Sequence, residues 1–591
     1  LPGLPGQVPV ELGSLPTDQA VAMLARIIGA DRAASEPEAL VRLAEACGGL
    51  PIALRICGAR LAQRRNRSVA SLVARLETVG RRLAGIDALD GFGEAGARNR
   101  VEDRGANIGD EGPVAKNGIE ELGAENGAQE PGARTHLRAK ADPADRSALR
   151  GPLEESYRAL NYGAAGRDVD LARAFRLLSL IGGERFSLPA AAAVLGVDDF
   201  DADSAVEHLV EVSLLEAAGS DRFAFHPLIQ ELAREHARAD DEPDELGRAL
   251  GRWTAWCLAM AAAADHLFNP NRPKVAWESW IPNGGPAPFD SLAEAADWFD
   301  RESAGLVEAV TAAFENGDHA TAAALPLVLL HGFRIRGRVE ELEEPLRVAV
   351  AAAVELGEPE VAGVQLNNLA IVHGALGRFD EAIATFAEAV PHYEQAGQAE
   401  RVAQARMNAA ITVAQSGRPG EAAERLQASL AEIEELPETP LLASMRVSLL
   451  LALAEALRDS GQPKEALQVY PRLLTEAEAV GDTPRLAIAW GNFGKLHVKD
   501  GRPDEGIGSI EKALELHRSI GNHDGEGYAL WALGEAQAAL GRTDDARRTW
   551  IQAREIFQRL GRQGFAADLT REIAGLEGHA QRTTDSGHAE G

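Results

Sequence analysis

Gly501-Arg502-Pro503-Asp504-Glu505-Gly506 is one copy of a phrase that recurs along the second half of the chain. It appears as Gly377-Arg378-Phe379-Asp380-Glu381-Ala382, as Gly417-Arg418-Pro419-Gly420-Glu421-Ala422 and as Gly461-Gln462-Pro463-Lys464-Glu465-Ala466. The last copy is Gly541-Arg542-Thr543-Asp544-Asp545-Ala546. The glycines step by 40, 44, 40 and 40 residues, and a looser copy, Gly337-Arg338-Val339-Glu340-Glu341-Leu342, lies another 40 upstream. Each part of the phrase has a physical job. The glycine lets the chain leave a helix in a left-handed conformation. The polar residues and the acid start the next helix, where negative charge suits the N-terminus. The alanine lets a paired helix come close. Either side lie small and apolar residues at helical spacing, such as Leu366, Leu369 and Ala370 before the turn, and Phe386 and Ala389 after it.

Six copies on one period resemble the tetratricopeptide repeat in its longer form of roughly 40 residues. The resemblance implies an α-solenoid over residues 336–575, in which neighbouring helix pairs bury each other's apolar faces and leave a concave groove. In that family a first-helix position nine residues before the glycine points into the groove; here it holds Asn368, Asn408, Ala452, Asn492 and Ala532. Asparagine both donates and accepts, so it holds a peptide backbone without demanding a sequence. Lys495 and Lys499 follow Asn492 at one and two turns on the same helix face and suit a carboxylate or acidic side chain. The alternative is that these groups only solvate a surface. The expected occupant is a protein or peptide.

The chain has 591 residues, 45% hydrophobic and 25% charged, with a formal charge of −30. That length predicts two to four domains. Such acidity opposes a phosphate backbone, so direct nucleic-acid binding by this chain is not expected. Cys47, Cys57 and Cys257 form no Cys-x-x-Cys pair or zinc spacing and read as small core side chains. No apolar run approaches the roughly 18 residues that span a membrane, and no signal peptide is visible. The expectation is a cytoplasmic protein free of metal, able to oligomerise.

Ahead of the repeats, residues 1–90 read as helices. Ser35 and Glu38 have capping-box spacing, Gly48-Gly49 stops a helix, and Pro51 suits the first turn of the next. Residues 91–147 are rich in Gly, Glu, Asn and Ala without a periodic apolar face, and are expected to be a disordered insertion, since little apolar burial offsets an ordering cost of about 1–2 kcal/mol per residue. Residues 148–240 predict a compact helical domain ending in two short strands around Gly219-Ser220-Asp221, a winged-helix pattern. Glu207, Glu211 and Glu216 stand where a DNA reader needs basic residues, which favours a packing role. Residues 245–335 predict a helical connector anchored by Trp253, Trp256, Trp277, Trp280 and Trp298, and residues 576–591 a disordered tail.

Several ordered landmarks carry a second resemblance. Gly48-Gly49-Leu50-Pro51-Ile52-Ala53-Leu54-Arg55 resembles the GLPLA motif of NB-ARC proteins, within the STAND class of signal-transduction ATPases. With Gly58-Ala59-Arg60-Leu61 it is similar to the AfsR-like branch, the Streptomyces antibiotic regulatory proteins. Glu154-Glu155-Ser156-Tyr157-Arg158-Ala159-Leu160 resembles the start of that family's winged helix. Phe225-His226-Pro227-Leu228-Ile229 falls where the family has its MHD-like motif, and Ala296-Asp297-Trp298-Phe299-Asp300 resembles the segment that introduces its repeats. The resemblance implies a mainly α fold: a helical NB-ARC-type subdomain, a winged helix, then the solenoid. It implies that Pro51 packs on adenine and that His226 contacts the ADP β-phosphate, a charge-assisted bond of about 1.5–3 kcal/mol. Pro227 replaces the acidic third residue of the MHD motif.

The sequence departs from a complete nucleotide switch. No Gly-x-x-x-x-Gly-Lys-[Ser/Thr] occurs, so the phosphates have no cradle and magnesium no hydroxyl ligand. In the family that loop precedes the region where this sequence opens, at Leu1-Pro2-Gly3. ADP or ATP is therefore expected only with such an upstream domain, and no cofactor in this chain alone. Two functions are compatible with these features: the partner-sensing portion of an NB-ARC transcriptional regulator, or a free-standing repeat adaptor that simply holds a protein. Catalysis is not expected. His226, His373, His497, His517 and His523 form no triad or metal grouping that the sequence justifies, and His373 and His497 share one repeat position suited to packing.

Overall fold

The computed structural model describes residues 15–63, 67–76, 143–161, 170–219, 221–269, 279–280 and 288–587. The fold is mainly α and divides into two compact units, residues 1–256 and 257–591.

The first unit opens with α1 (Thr17–Ile28), α2 (Ala30–Ser35), α3 (Pro37–Ala46) and α4 (Pro51–Gln63). Ala20 and Leu24 of α1 are fully buried, and α1 packs on α3 and α4. The capping box expected at Ser35 does not form. Pro37 takes the first position of α3, which makes Glu36 the cap residue; the Ser35 hydroxyl instead donates to the Arg32 carbonyl at 2.7 Å. The Glu36 carboxylate accepts from the backbone N–H groups of Val69 and Ala70, at 2.9 and 3.0 Å. Gly49 has φ +66°, and a Cβ there would overlap the Leu15 carbonyl.

The next helix, α5 (Pro143–Asn161), begins inside the stretch read as a disordered insertion. Residues 91–142 of that stretch lie outside the described residues, as does Trp277. There follow α6 (Leu171–Leu178), β1 (Phe186–Ser187), α7 (Leu188–Leu195), α8 (Asp199–Glu211), β2 (Glu216–Ala217), β3 (Arg222–Ala224) and α9 (Pro227–Asp240). The strands form an antiparallel sheet in the order β1-β3-β2, with Phe186 opposite Phe223 and Glu216 opposite Ala224. Two strands were legible; β1, two residues long, is too short to show alternation. Glu216 lies on β2, while Glu211 ends α8 and faces His208 at 3.4 Å.

The Glu154-to-Leu160 motif is a packing hub. Glu155 is buried and binds Arg60 of α4 at 2.9 Å and Arg75 at 3.0 Å. Tyr157 stacks on His236 of α9 at 4.0 Å; its hydroxyl donates to Asp240 and accepts from Arg176, both at 2.7 Å. Trp253, on α10 (Pro243–Phe268), is 2% exposed.

The second unit is a run of antiparallel helices, each packed on the next. They are α11 (Leu292–Glu315), α12 (His319–Ile335), α13 (Glu343–Glu355), α14 (Pro359–Ala375), α15 (Phe379–Gln395), α16 (Ala399–Gln415) and α17 (Pro419–Glu434). Then come α18 (Pro440–Asp459), α19 (Pro463–Val480), α20 (Thr483–Lys499), α21 (Pro503–Ser519), α22 (His523–Ala539), α23 (Thr543–Arg559) and α24 (Gln563–Gly587). The turn glycines beat at half the spacing read from the sequence. Gly317, Gly337, Gly357, Gly377, Gly397 and Gly417 all have positive φ, and so do Gly461, Gly481, Gly501, Gly521, Gly541 and Gly561. Turns within and between repeats thus share one closure. At Gly377 the glycine N–H donates to Gly374 O at 3.0 Å and the next N–H to His373 O at 2.9 Å. The single 44-residue step falls where no glycine serves. Thr439 caps α18 instead, its hydroxyl accepting from Leu442 N at 3.3 Å, and α18 has 20 residues where α14, α16, α20 and α22 have 17.

The interlock within a pair follows from size. Anchor residues Ala382, Ala422, Ala466 and Ala546 are fully buried. Small residues of first helices receive aromatic rings of second helices: a Cβ on Gly363 would lie 2.7 Å from the Tyr393 ring, and one on Gly534 would overlap the Trp550 indole. Two boundaries differ from expectation. The glycine-closed turns begin at Gly317, ahead of residue 336, and α24 continues to Gly587, past residue 575. One described helix, α18, is long and apolar enough by composition to cross a membrane, although Arg446 and Glu455 interrupt its apolar run; half of its apolar window is buried in the repeats.

Candidate partner groove and nucleotide-side residues

First helices of successive repeats touch each other as well as their own partners: α16 meets α18, α18 meets α20, and α20 meets α22. The expected groove residues lie along that side, but they are more engaged than free polar groups. Asn368 is 9% exposed. Asn408 donates to Asn367 Oδ1 of the preceding repeat at 3.0 Å. Asn492 donates to Glu455 Oε1 of the preceding repeat at 2.9 Å. Asn408 and Asn492 each stitch two repeats together through one amide hydrogen bond.

Lys495 is partly buried, and burial lowers its pKa against the opposing pull of Glu535. Lys499 is exposed. Glu455, Lys495 and Glu535 each lie six residues before an anchor glycine, so three successive first helices present acid, base and acid in one register. Burial raises the pKa of both glutamates. Glu455 and Glu535 were not among the sequence-based candidates, although their shared register with Lys495 was visible; the pairing of Asn367 with Asn408 carried no such signal.

His373 and His497 are buried, as packing requires. His373 Nδ1 lies 3.2 Å from the Thr385 hydroxyl, and His497 stacks edge-on to Phe493 at 4.3 Å. Among the described residues no three His, Cys, Asp or Glu side chains group as a metal site.

In the first unit, Pro51 is exposed at the start of α4. Arg55, one turn on, pairs with Glu216 of β2. His226 caps α9, its Nδ1 accepting from Leu228 N at 3.3 Å, which places the ring proton on Nε2. Burial lowers the His226 pKa; Glu216 opposes that shift and Arg55 adds to it. The Arg55–Glu216 pair thus joins the helix of Pro51 to the neighbourhood of His226. Arg55 Nε is buried without a hydrogen-bond partner among the described residues.

With this geometry in place, the comparisons with known proteins fall on the same segments. The tetratricopeptide-repeat profile matches residues 360–431 and 485–559, and a second tetratricopeptide profile matches residues 449–484. Regulatory protein AfsR of Streptomyces griseus is 28% identical over 590 residues, spanning 93% of this chain and 53% of its own length. The chain is similar to this regulator along nearly its whole length. AfsR of Streptomyces coelicolor is also 28% identical, over 613 residues, 96% of this chain and 55% of that protein. The chain thus spans about half the length of the curated relatives it matches. A crystal structure of a signal transduction ATPase with numerous domains and a tetratricopeptide repeat sensor, from Pyrococcus horikoshii, aligns with 99% of this chain and 68% of its own at 12% identity and a TM-score of 0.49.

Proposed function

We propose that this chain is the partner-sensing portion of a STAND-type transcriptional regulator. The relatives it resembles along nearly its whole length are named regulatory proteins. The repeats hold a protein or peptide on the side built by the first helices. The sheet-bearing helical domain, read as a winged helix, relays occupancy to a nucleotide switch whose P-loop domain lies outside this sequence. The observation that carries the reading is the inter-repeat row of Asn367–Asn408 and Glu455–Asn492 beside Lys495. A ligand competing for those amides changes how neighbouring repeats are tied, which couples binding to the shape of the array.

The relay runs through Arg55 and Glu216, with Pro51 and His226 as the nucleotide-side groups once a P-loop domain supplies the phosphate site. The winged helix does not read DNA in this reading: α8 opens on Asp199, Phe200 and Asp201, behind the cap residue Asp198. Cytoplasmic operation follows from the same role.

The test uses the whole chain as bait in lysate of its native host, comparing wild type with Asn408→Ala/Asn492→Ala and with Lys495→Glu. Loss of the same retained proteins in both variants, with unfolding temperatures kept, supports the reading. Undiminished retention by both ends it. A free-standing adaptor would show equal partner affinity with and without ADP when a P-loop domain is joined to the chain.

A further inference from the structure

Cys47 caps the C-terminal end of α3 and Cys57 lies on α4, ten positions further along the sequence, without any redox or metal spacing. The fold puts their sulfurs in contact. The Cys47 thiol donates to Cys57 Sγ at 3.7 Å, and the two residues are 0% and 2% exposed. A disulfide needs about 2.05 Å between sulfurs, so closure asks for a movement of under about 2 Å. The intervening turn can supply it. Gly48 and Gly49 both have positive φ and, with the cap residue Cys47, carry the chain from one helix to the next. The third cysteine, Cys257, lies in the other unit and is equally buried, which makes it an internal control.

We infer that Cys47 and Cys57 form an oxidisable dithiol, a modification site that hydrogen peroxide converts to an intramolecular disulfide stapling α3 to α4. The site stands on the sulfur geometry and is independent of the nucleotide and partner readings above. The chemistry balances in two steps. One sulfur attacks the O–O bond, forming a sulfenic acid and releasing hydroxide, which takes up the thiol proton as water. The second sulfur then displaces hydroxide from the first, the S–S bond forms, and the second proton leaves in another water. Two thiols and one peroxide give one disulfide and two waters, with both electrons passing from sulfur to oxygen. Peroxide, little larger than water, suits a site that excludes bulkier disulfides. The Cys57 contact and burial hold the Cys47 thiol well above its ordinary pKa, so closed protein reacts slowly and opening of the α3–α4 joint speeds the reaction.

The experiment treats the full chain with hydrogen peroxide under native conditions, blocks free thiols with N-ethylmaleimide on denaturation, and maps peptides by mass spectrometry. The expected result is a Cys47–Cys57 cross-linked peptide lacking two hydrogens and lost on reduction, with Cys257 still alkylated. In Cys47→Ala the cross-link is absent and dimedone traps sulfenic acid on Cys57, which in wild type is consumed by its neighbour. Should wild type yield both cysteines singly alkylated or over-oxidised, with no cross-link at any peroxide exposure, the inference fails. A cross-link of either cysteine to Cys257 at equal yield would equally overturn it, since it would report unfolding rather than the built pair.

Discussion

Asn492 donates its side-chain amide to the Glu455 carboxylate across 2.9 Å, tying the first helix of one repeat to the first helix of the repeat before it. Burial raises the Glu455 pKa, and the Asn492 bond only partly offsets it. Below the ordinary carboxylate range both folded and unfolded chains hold the proton. As pH rises through that range the unfolded chain ionises first, so Glu455 costs stability at neutral pH and none in acid. Glu455→Gln still accepts from Asn492 and is expected to raise the unfolding temperature near pH 7 but not near pH 4. Differential scanning at both pH values checks this; equal shifts at both would contradict it.

Glu343 behaves in the opposite sense. Bonds from Arg378, then Arg347, hold its carboxyl down to about 2. The stability it supplies is present above the ordinary carboxylate pKa and fades as pH falls through the folded value. Glu343→Gln should cost about 1 kcal/mol at neutral pH, discounted for partial exposure, and roughly half of that near pH 3. Urea unfolding of both proteins at each pH reads the difference.

Gly534 and Gly420 make a contrasting pair. A Cβ on Gly534 overlaps the Trp550 indole, so Gly534→Ala should destabilise by about 1–3 kcal/mol. Nothing lies within 4 Å of a Cβ on Gly420, inside α17, where Ala should stabilise by about 0.5–1 kcal/mol. Chemical denaturation of the two variants should move the midpoint in opposite directions.

Glu155 holds two arginines from a buried position. Removing the carboxylate takes an ion-pair partner from mostly buried Arg60 and from half-exposed Arg75, so Glu155→Ala should cost about 1–3 kcal/mol in the first unit, and Glu155→Gln less. Hydrogen exchange of α4 and α5 reports it, and wild-type protection in Glu155→Ala would show that the carboxylate does not tie these helices.

Much of the array was legible because its turn chemistry repeats. The acid and alanine after Gly377, Gly417 and Gly461 made the 40-residue period visible. The intervening turns hid because the residues after Gly397, Gly481 and Gly521 share no pattern: Gln398-Ala399, Asp482-Thr483 and Asn522-His523. The capping box at Ser35 failed because a pairwise spacing was read without the proline between. Candidate groove residues could be placed by register, but not their partners. Asn367 with Asn408, and Glu455 with Asn492, lie 41 and 37 residues apart, and only stacking brings them together. The thiol pair escaped for the same reason.

The glycine beat has a mechanical consequence. Each helix leans mainly on its two sequence neighbours, and every 20 residues the chain reverses at a similar hinge. Pulled by its ends, such an array would yield in discrete hairpin-sized slips rather than all at once. The lengthened, glycine-free link before α18 would interrupt the otherwise even spacing of those slips.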